Sequence, residues 1–172
     1  MTIRLRDANT GDFETILALN QAAVHFLSPL SPPRLALLHR MSRYHRVAHD
    51  EGRVCAFLLV LAQGEAYDSL NYRWFAQRYE RFLYVDRIVV DNACRGQGIA
   101  PRLYHELLAF ARRIGAPRIT LEIDSDPPNP VSARFHARYG FAEVGTQSVA
   151  GGTKRVSLQS LELPGATDAG QH

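Results

Sequence analysis

Apolar and polar positions change period several times along this chain, and each change marks an element. Ile3 to Arg6 alternates with period two, which predicts a strand. From Thr10 to Leu27, Phe13, Ile16, Leu17, Leu19 and Val24 form an apolar stripe at helical spacing. Thr10 or Asp12 is the expected cap of that helix. Ser28-Pro29-Leu30-Ser31-Pro32-Pro33 breaks it, and a second short helix follows to about Arg43. Tyr44 to His49, the turn Asp50-Glu51-Gly52 and Val54 to Leu61 predict a β-hairpin. Phe82 to Val90 is apolar on both faces, which predicts a central, covered strand. Leu103, Leu107, Ala111 and Ile114 mark a helix over 100–114, ended by Gly115-Ala116-Pro117. Ile119, Leu121 and Ile123 alternate with Thr120, Glu122 and Asp124, a further strand. Pro130 starts a short helix over Val131–Tyr139, and Gly140 stops it. Two last strands fall at about Phe141–Gln147 and Lys154–Leu163.

The order is βααββ, a long insert, then βαβαββ, so the fold class is an α/β sheet with helices on its faces. The insert, Gly64 to Arg81, reads as irregular and crowds Tyr67, Tyr72, Trp74, Phe75 and Tyr79 together. Connections of that length are commonly lids or binding loops.

Composition narrows the class. The chain has 172 residues, 46% hydrophobic and 22% charged, which suits one globular domain over 1–163. The small, polar, Gly-containing segment 164–172 is expected to be a disordered tail. The longest apolar run, Val54 to Ala62, is far short of the ~20 residues a membrane helix needs. The opening residues lack an apolar signal region, so a cytoplasmic protein without membrane contacts is expected. Cys55 and Cys94 fit neither a disulfide framework nor a zinc site, and no metal is expected. A scattered net charge of +3 does not argue for nucleic acid.

The chemistry concentrates in Val89-Val90-Asp91-Asn92-Ala93-Cys94-Arg95-Gly96-Gln97-Gly98-Ile99-Ala100. A strand ends, two glycines follow and an amphipathic helix begins. A helix start presents unpaired N–H groups and positive partial charge. Glycines let that backbone approach an anion, and Arg95 adds a fork of donors suited to phosphate oxygens. The pattern asks for a diphosphate. A P-loop would need Gly-Lys-Ser/Thr, and a dinucleotide fingerprint would need glycine where Pro101 stands, so both fail.

Arg95-x-x-Gly98-x-Ala100 resembles the Arg/Gln-x-x-Gly-x-Gly/Ala signature of the GNAT superfamily of N-acetyltransferases. The strand Leu83–Val90 runs into it as in that family. Asn129-Pro130-x-Ser132-x-x-Phe135-His136-x-x-Tyr139-Gly140-Phe141 looks like the family's second cofactor motif. The resemblance covers about residues 2–163. It implies a mixed, mostly antiparallel sheet with helices on both faces, whose fourth and fifth strands splay around the pantetheine arm of coenzyme A. It implies an acetyl-CoA-dependent N-acetyltransferase working by direct attack in a ternary complex. Carried over by position, Arg95, Gly96, Gln97, Gly98, Ile99 and Ala100 would wrap the pyrophosphate. Backbone groups of Ile88, Val89 and Val90 would pair with pantetheine, and Asn129 would hydrogen-bond the cofactor.

One position departs from the family. His136 stands where the tyrosine of the Phe-Tyr pair serves as leaving-group acid. A charged imidazole could protonate a departing thiolate; Tyr139 and Tyr84 are the alternatives. Asp86 and Glu122 are joint candidates for the base, each with a structural reading: a salt bridge to Arg87 or another arginine for Asp86, a structural hydrogen bond for Glu122. Cys94 beside Arg95 reads as a plain loop cysteine. The resemblance puts the acceptor against Phe26–Pro33, Gly64–Arg81 and Ser148–Thr153. The aromatic insert and Arg73, Arg78, Arg81 and Arg87 favour a small-molecule amine, with packing of Tyr72, Trp74 and Phe75 and solvated arginines as the competing reading. The family also makes a homodimer an expectation. The competing functions are a non-catalytic acyl-CoA-binding or sensing module, raised by the missing tyrosine, and a nucleotide-binding regulatory domain.

Overall fold

The computed structural model describes residues 1–165; most of the tail expected over 164–172 lies outside the described residues. Seven strands form a hydrogen-bonded sheet in the order β1-β2-β3-β4-β5-β7-β6. They are β1 Ile3–Asp7, β2 Ser42–Asp50, β3 Arg53–Ala62, β4 Leu83–Val90, β5 Arg118–Asp126, β6 Ala142–Val149 and β7 Lys154–Glu162. The helices are α1 Phe13–Ala22, α2 Pro32–Met41, α3 Leu70–Ala76, α4 Ile99–Arg113 and α5 Pro130–Ala137. The fold is mixed α/β with a mostly antiparallel sheet, in which β4 and β5 run parallel. Two compact units are distinguished: Met1–Leu61 with Val85–Leu108, and Ala62–Tyr84 with the chain from Ala109 onward.

In the first unit, β2 and β3 form the expected hairpin, closed by a two-residue turn at Glu51-Gly52 with both residues left-handed. From Val54 to Leu61 the β3 residues are all buried, which is why this segment shows no alternation. The first helix differs from expectation at both ends. α1 starts at Phe13 with Asp12, one of the two expected residues, at its N-cap position but with no capping bond from its side chain. Asn9 caps the preceding 3-10 turn at Thr10–Asp12, its side chain accepting from Gly11 N–H while Asp12 reaches back to Asn9 N–H. Asp12 also takes a two-pronged ion pair from Arg6, at 2.7 and 2.8 Å. The helix stops at Ala22 rather than Leu27, because Ala23 leaves helical geometry and the chain turns through Phe26. Ser31 caps α2, with Pro32 and Pro33 in its first turn.

In the second unit, the insert contains α3, started by the Ser69 hydroxyl accepting from Tyr72 N–H. Tyr67, Tyr72 and Phe75 are turned inward and pack with Phe82 and Tyr84. Its seven residues, just under two turns, and their aromatic bulk hid this helix. Trp74 lies against β6, where a Cβ added at Gly145 would stand 2.9 Å from the indole Cη2. Only glycine lets the ring sit so close. Arg78 covers the indole from 3.5 Å, and Gln147 donates to Asn71 at 2.9 Å, so α3 is fixed to β6 at two points. The parallel ladder of β4 and β5 comprises Leu83↔Ile119 and Tyr84↔Thr120, two pairs of an eight-residue and a nine-residue strand.

Candidate functional site

The glycine turn belongs to the first unit. β4 ends at Val90, and Asp91 then fastens the chain in three ways. Its N–H donates to Cys55 O at 2.8 Å, its carboxylate accepts from Ala93 N–H at 3.0 Å, and it pairs with Arg53 at 2.9 Å. Cys94 is buried beneath the turn, beside Cys55, whose thiol is pushed up to about 11 by burial and by Cys94. Cys55 is therefore no poised nucleophile.

Beyond Cys94 the chain turns outward. Arg95, Gly96, Gln97 and Gly98 are exposed. Gly96 and Gly98 take φ of 77° and 71°, the left-handed region, and a Cβ added at either would meet nothing within 4 Å. The glycines are therefore required by backbone shape rather than by crowding, and the turn lies open. Ile99 begins α4, and the first bond of that helix runs from Arg102 N–H to Gly98 O at 3.2 Å. The amides before Arg102 belong to the unpaired first turn of a helix, where anions are favoured. Pro101 removes one of those donors without disturbing the helix start. α4 is held in place by Arg102 donating to Ile3 O at 2.7 Å and by the Arg46–Glu106 pair at 3.0 Å. Ile88 and Val90 are half-buried on the strand leading in, and Val89 is buried. The residues present thus fit a diphosphate-bearing cosubstrate: an open cradle, backbone donors and an exposed guanidinium.

Asp86 lies in the same unit as the turn. It is buried and paired with Arg87 at 2.6 Å. Arg87 in turn donates to Asn20 Oδ1 at 2.9 Å and to Ser28 O at 3.1 Å. The salt bridge to Arg87 is present: Asp86 faces a buried guanidinium that also ties down the end of α1. Arg87 is likewise spent on this network rather than offered to an acceptor.

Glu122 belongs to the second unit. It is half-buried on β5, and Tyr84 Oη donates to its Oε2 at 2.7 Å. Thr120, two residues earlier on the strand, donates to Leu83 O at 3.0 Å and locks β4 against β5. Asp124 pairs with Lys154 at 2.9 Å. Glu122 is thus a carboxylate held by a phenol on a fixed strand pair.

His136 is buried on α5, with its ring edge-on to Phe135 and Phe141. Its Nδ1 lies 2.8 Å from Ser132 O and 3.2 Å from Ser132 Oγ. Burial holds its pKa below the ordinary imidazole value, against a smaller opposing effect of the Ser132 carbonyl. The ring is therefore mainly neutral at pH 7, with Nδ1–H donated to Ser132 O. Tyr139 sits edge-on to Phe135, and burial raises its phenol above the usual range. Asn129 caps α5, its Oδ1 accepting from Ser132 N–H at 3.2 Å. Arg73, Arg78 and Arg81 are exposed; Arg78 is stacked on Trp74 and Arg81 donates to Gly115 O at 2.9 Å.

Two features escaped the sequence reading. The Asp91 fastening had a local signal, an aspartate two residues before an amide in a turn. The Tyr84–Glu122 pair had none, because it depends on the register of strands 38 residues apart.

Among the described residues, no helix is long and apolar enough to cross a membrane. An acetyltransferase of Agrobacterium fabrum, Atu2258, is 40% identical over 65 residues, which are 38% of this chain and 44% of that protein. The chain thus spans less than half the length of the curated relative it matches. A solved structure of a candidate phosphinothricin N-acetyltransferase superposes with a TM-score of 0.70 at 25% identity, covering 94% of this chain and 99% of that one. The structure of the NatC complex bound to Gag peptide and CoA shares the fold, with a TM-score of 0.75 at 17% identity over 95% of this chain and 99% of that one. The model of the acetyltransferase (GNAT) family matches residues 12–141. With most of the chain inside that match, and with its glycine turn built as described, this protein belongs to the GNAT acetyltransferase family.

Proposed function

We propose that this chain transfers the acetyl group of acetyl-CoA to the amine of a small molecule. The observation that carries the reading is the open turn at Gly96 and Gly98, left-handed at both glycines and running into α4 beside an exposed Arg95. In this reading the amides from Gly96 to Ala100 and the Arg95 guanidinium hold the pyrophosphate. Backbone groups of Ile88, Val89 and Val90 bind the pantetheine arm. Acetyl-CoA supplies an activated thioester, and the acceptor amine attacks it directly, so no protein nucleophile is required.

Glu122 is the proposed base, taking the proton of the attacking amine directly or through water. Its support is its placement as a half-buried carboxylate with one oxygen held by Tyr84. His136 donates to the departing thiolate only when charged, and burial confines that state to acidic solution. Its acid role therefore weighs little at neutral pH. Asp86 contributes through Arg87 rather than through the reacting atoms.

The small-molecule acceptor is favoured by the likeness to the candidate phosphinothricin N-acetyltransferase. A second reading, acetylation of a peptide N-terminus, draws on the NatC neighbour with its bound peptide. Release of free thiol from acetyl-CoA, measured with amino acids, other small amines and short peptides, separates the two. Turnover with small amines supports the first and turnover confined to peptides the second. Binding of acetyl-CoA without turnover on any amine would leave a binding module.

A further inference from the structure

The residue on which Glu122 depends is Tyr84. We propose that Tyr84 is a positioning residue, which aims the Glu122 carboxylate and keeps it in its ionised form through the hydrogen bond to Oε2. The inference rests on the reading of Glu122 as base.

Tyr84 is 1% exposed, and a buried phenol needs an acceptor. Its ring is packed among three aromatic neighbours. Tyr72 meets it edge-on at 5.5 Å, Phe75 lies 6.0 Å away and Tyr67 lies 6.5 Å away. Tyr72 is itself pinned, donating to Ala62 O at 2.6 Å and accepting from Glu65 N–H at 3.0 Å. The backbone under Tyr84 is fixed by its pairing with Thr120 and by the Thr120 hydroxyl on Leu83 O. The hydroxyl is thus delivered to one point, and Glu122 Oε2 occupies it at 2.7 Å, the spacing of a strong O–H···O⁻ bond.

The geometry also separates two jobs that tyrosine could do. A phenol that donates to a neighbouring carboxylate has committed its proton, so Tyr84 stabilises the base rather than serving as the acid for the thiolate. A hydrogen bond to the charged form of a carboxylate lowers its affinity for protons. The aromatic insert then has a function beyond covering the sheet: it is the mould that holds the phenol still.

The test pairs Tyr84→Phe, which removes one oxygen, with Glu122→Gln. In protein labelled with ¹³C at glutamate carboxyl carbons, the Glu122 signal is assigned by its loss in Glu122→Gln and then titrated with pH. Tyr84→Phe is expected to move its midpoint up by about one pH unit. With an amine that supports thiol release, the acid limb of kcat/KM moves up by the same amount, kcat falls about tenfold, and KM for acetyl-CoA stays unchanged. The double variant is no slower than Glu122→Gln alone, since the phenol acts only through the carboxylate. An unmoved Glu122 midpoint in Tyr84→Phe overturns the inference while leaving the base reading standing. Glu122→Gln with wild-type turnover overturns the base reading instead. A Tyr84→Phe loss that persists undiminished in the Glu122→Gln background points to a structural role and also overturns the inference.

Discussion

The glycine turn and the Tyr84–Glu122 corner are built on opposite principles. The turn is contiguous: ten residues from Asp91 to Ala100 carry its fastening, its two left-handed glycines and its helix start. The corner is assembled: its two side chains are 38 residues apart and meet only through strand register. A contiguous site is robust to most side-chain changes and fails when its backbone shape is lost. An assembled site fails when a single atom is removed. Trp74 on Gly145 is a further contact of the assembled kind.

The sharpest break comes from the corner. Glu122→Gln should lower kcat for thiol release by about 100-fold while leaving acetyl-CoA binding intact, since one isosteric change removes the base. Equal kcat in the variant would show the corner to be structural.

A contact local in sequence is read through pH. His45 Nδ1 lies 2.8 Å from His39 Nδ1, and burial, with the His39 ring, lowers His45 to about 4. Asp12 and Asp7 oppose this weakly. In the unfolded chain the imidazole binds its proton near pH 6.5. Between about 6.5 and 4 the unfolded state therefore holds more protons, and stability falls as the solution is acidified. The loss should reach about 3 kcal/mol at pH 4, and a His45→Phe variant should show a flatter curve of unfolding free energy across that window. An unchanged slope would mean that another group carries the acid sensitivity.

The smallest expected effect is Gly145→Ala. The added methyl must displace Trp74, which should cost about 1–3 kcal/mol and lower the melting temperature. An unaltered melting curve would show that the indole has room to move.

The same contrast explains what was legible in the sequence. The strands and helices showed because burial on one or both faces imprints a period, and the apolar run of β3 and the stripe of α4 report their surroundings directly. The glycine turn showed because its chemistry is written in consecutive residues. The 3-10 turn capped by Asn9 was missed because Asn9, Thr10 and Asp12 offer similar side-chain chemistry within four residues, and only the local backbone decides which of them caps which turn. Helix α3 was missed because seven residues hold less than two turns of period. The roles of Asp86 and Arg87 were undecidable until Asn20 and Ser28 were brought beside them, and Tyr84 could not be tied to Glu122 without the β4–β5 register.

The central claim is that the turn at Gly96 and Gly98 grips the pyrophosphate of acetyl-CoA. Calorimetric titration with acetyl-CoA of the unaltered protein, Arg95→Ala and Gly98→Val tests it most directly. The account predicts saturable binding by the unaltered protein. Arg95→Ala should weaken it about tenfold or more through loss of charge-assisted hydrogen bonds, and Gly98→Val more severely because a β-branched residue resists a φ of 71°. Equal affinity in all three, with each variant folded by its melting curve, would contradict the account.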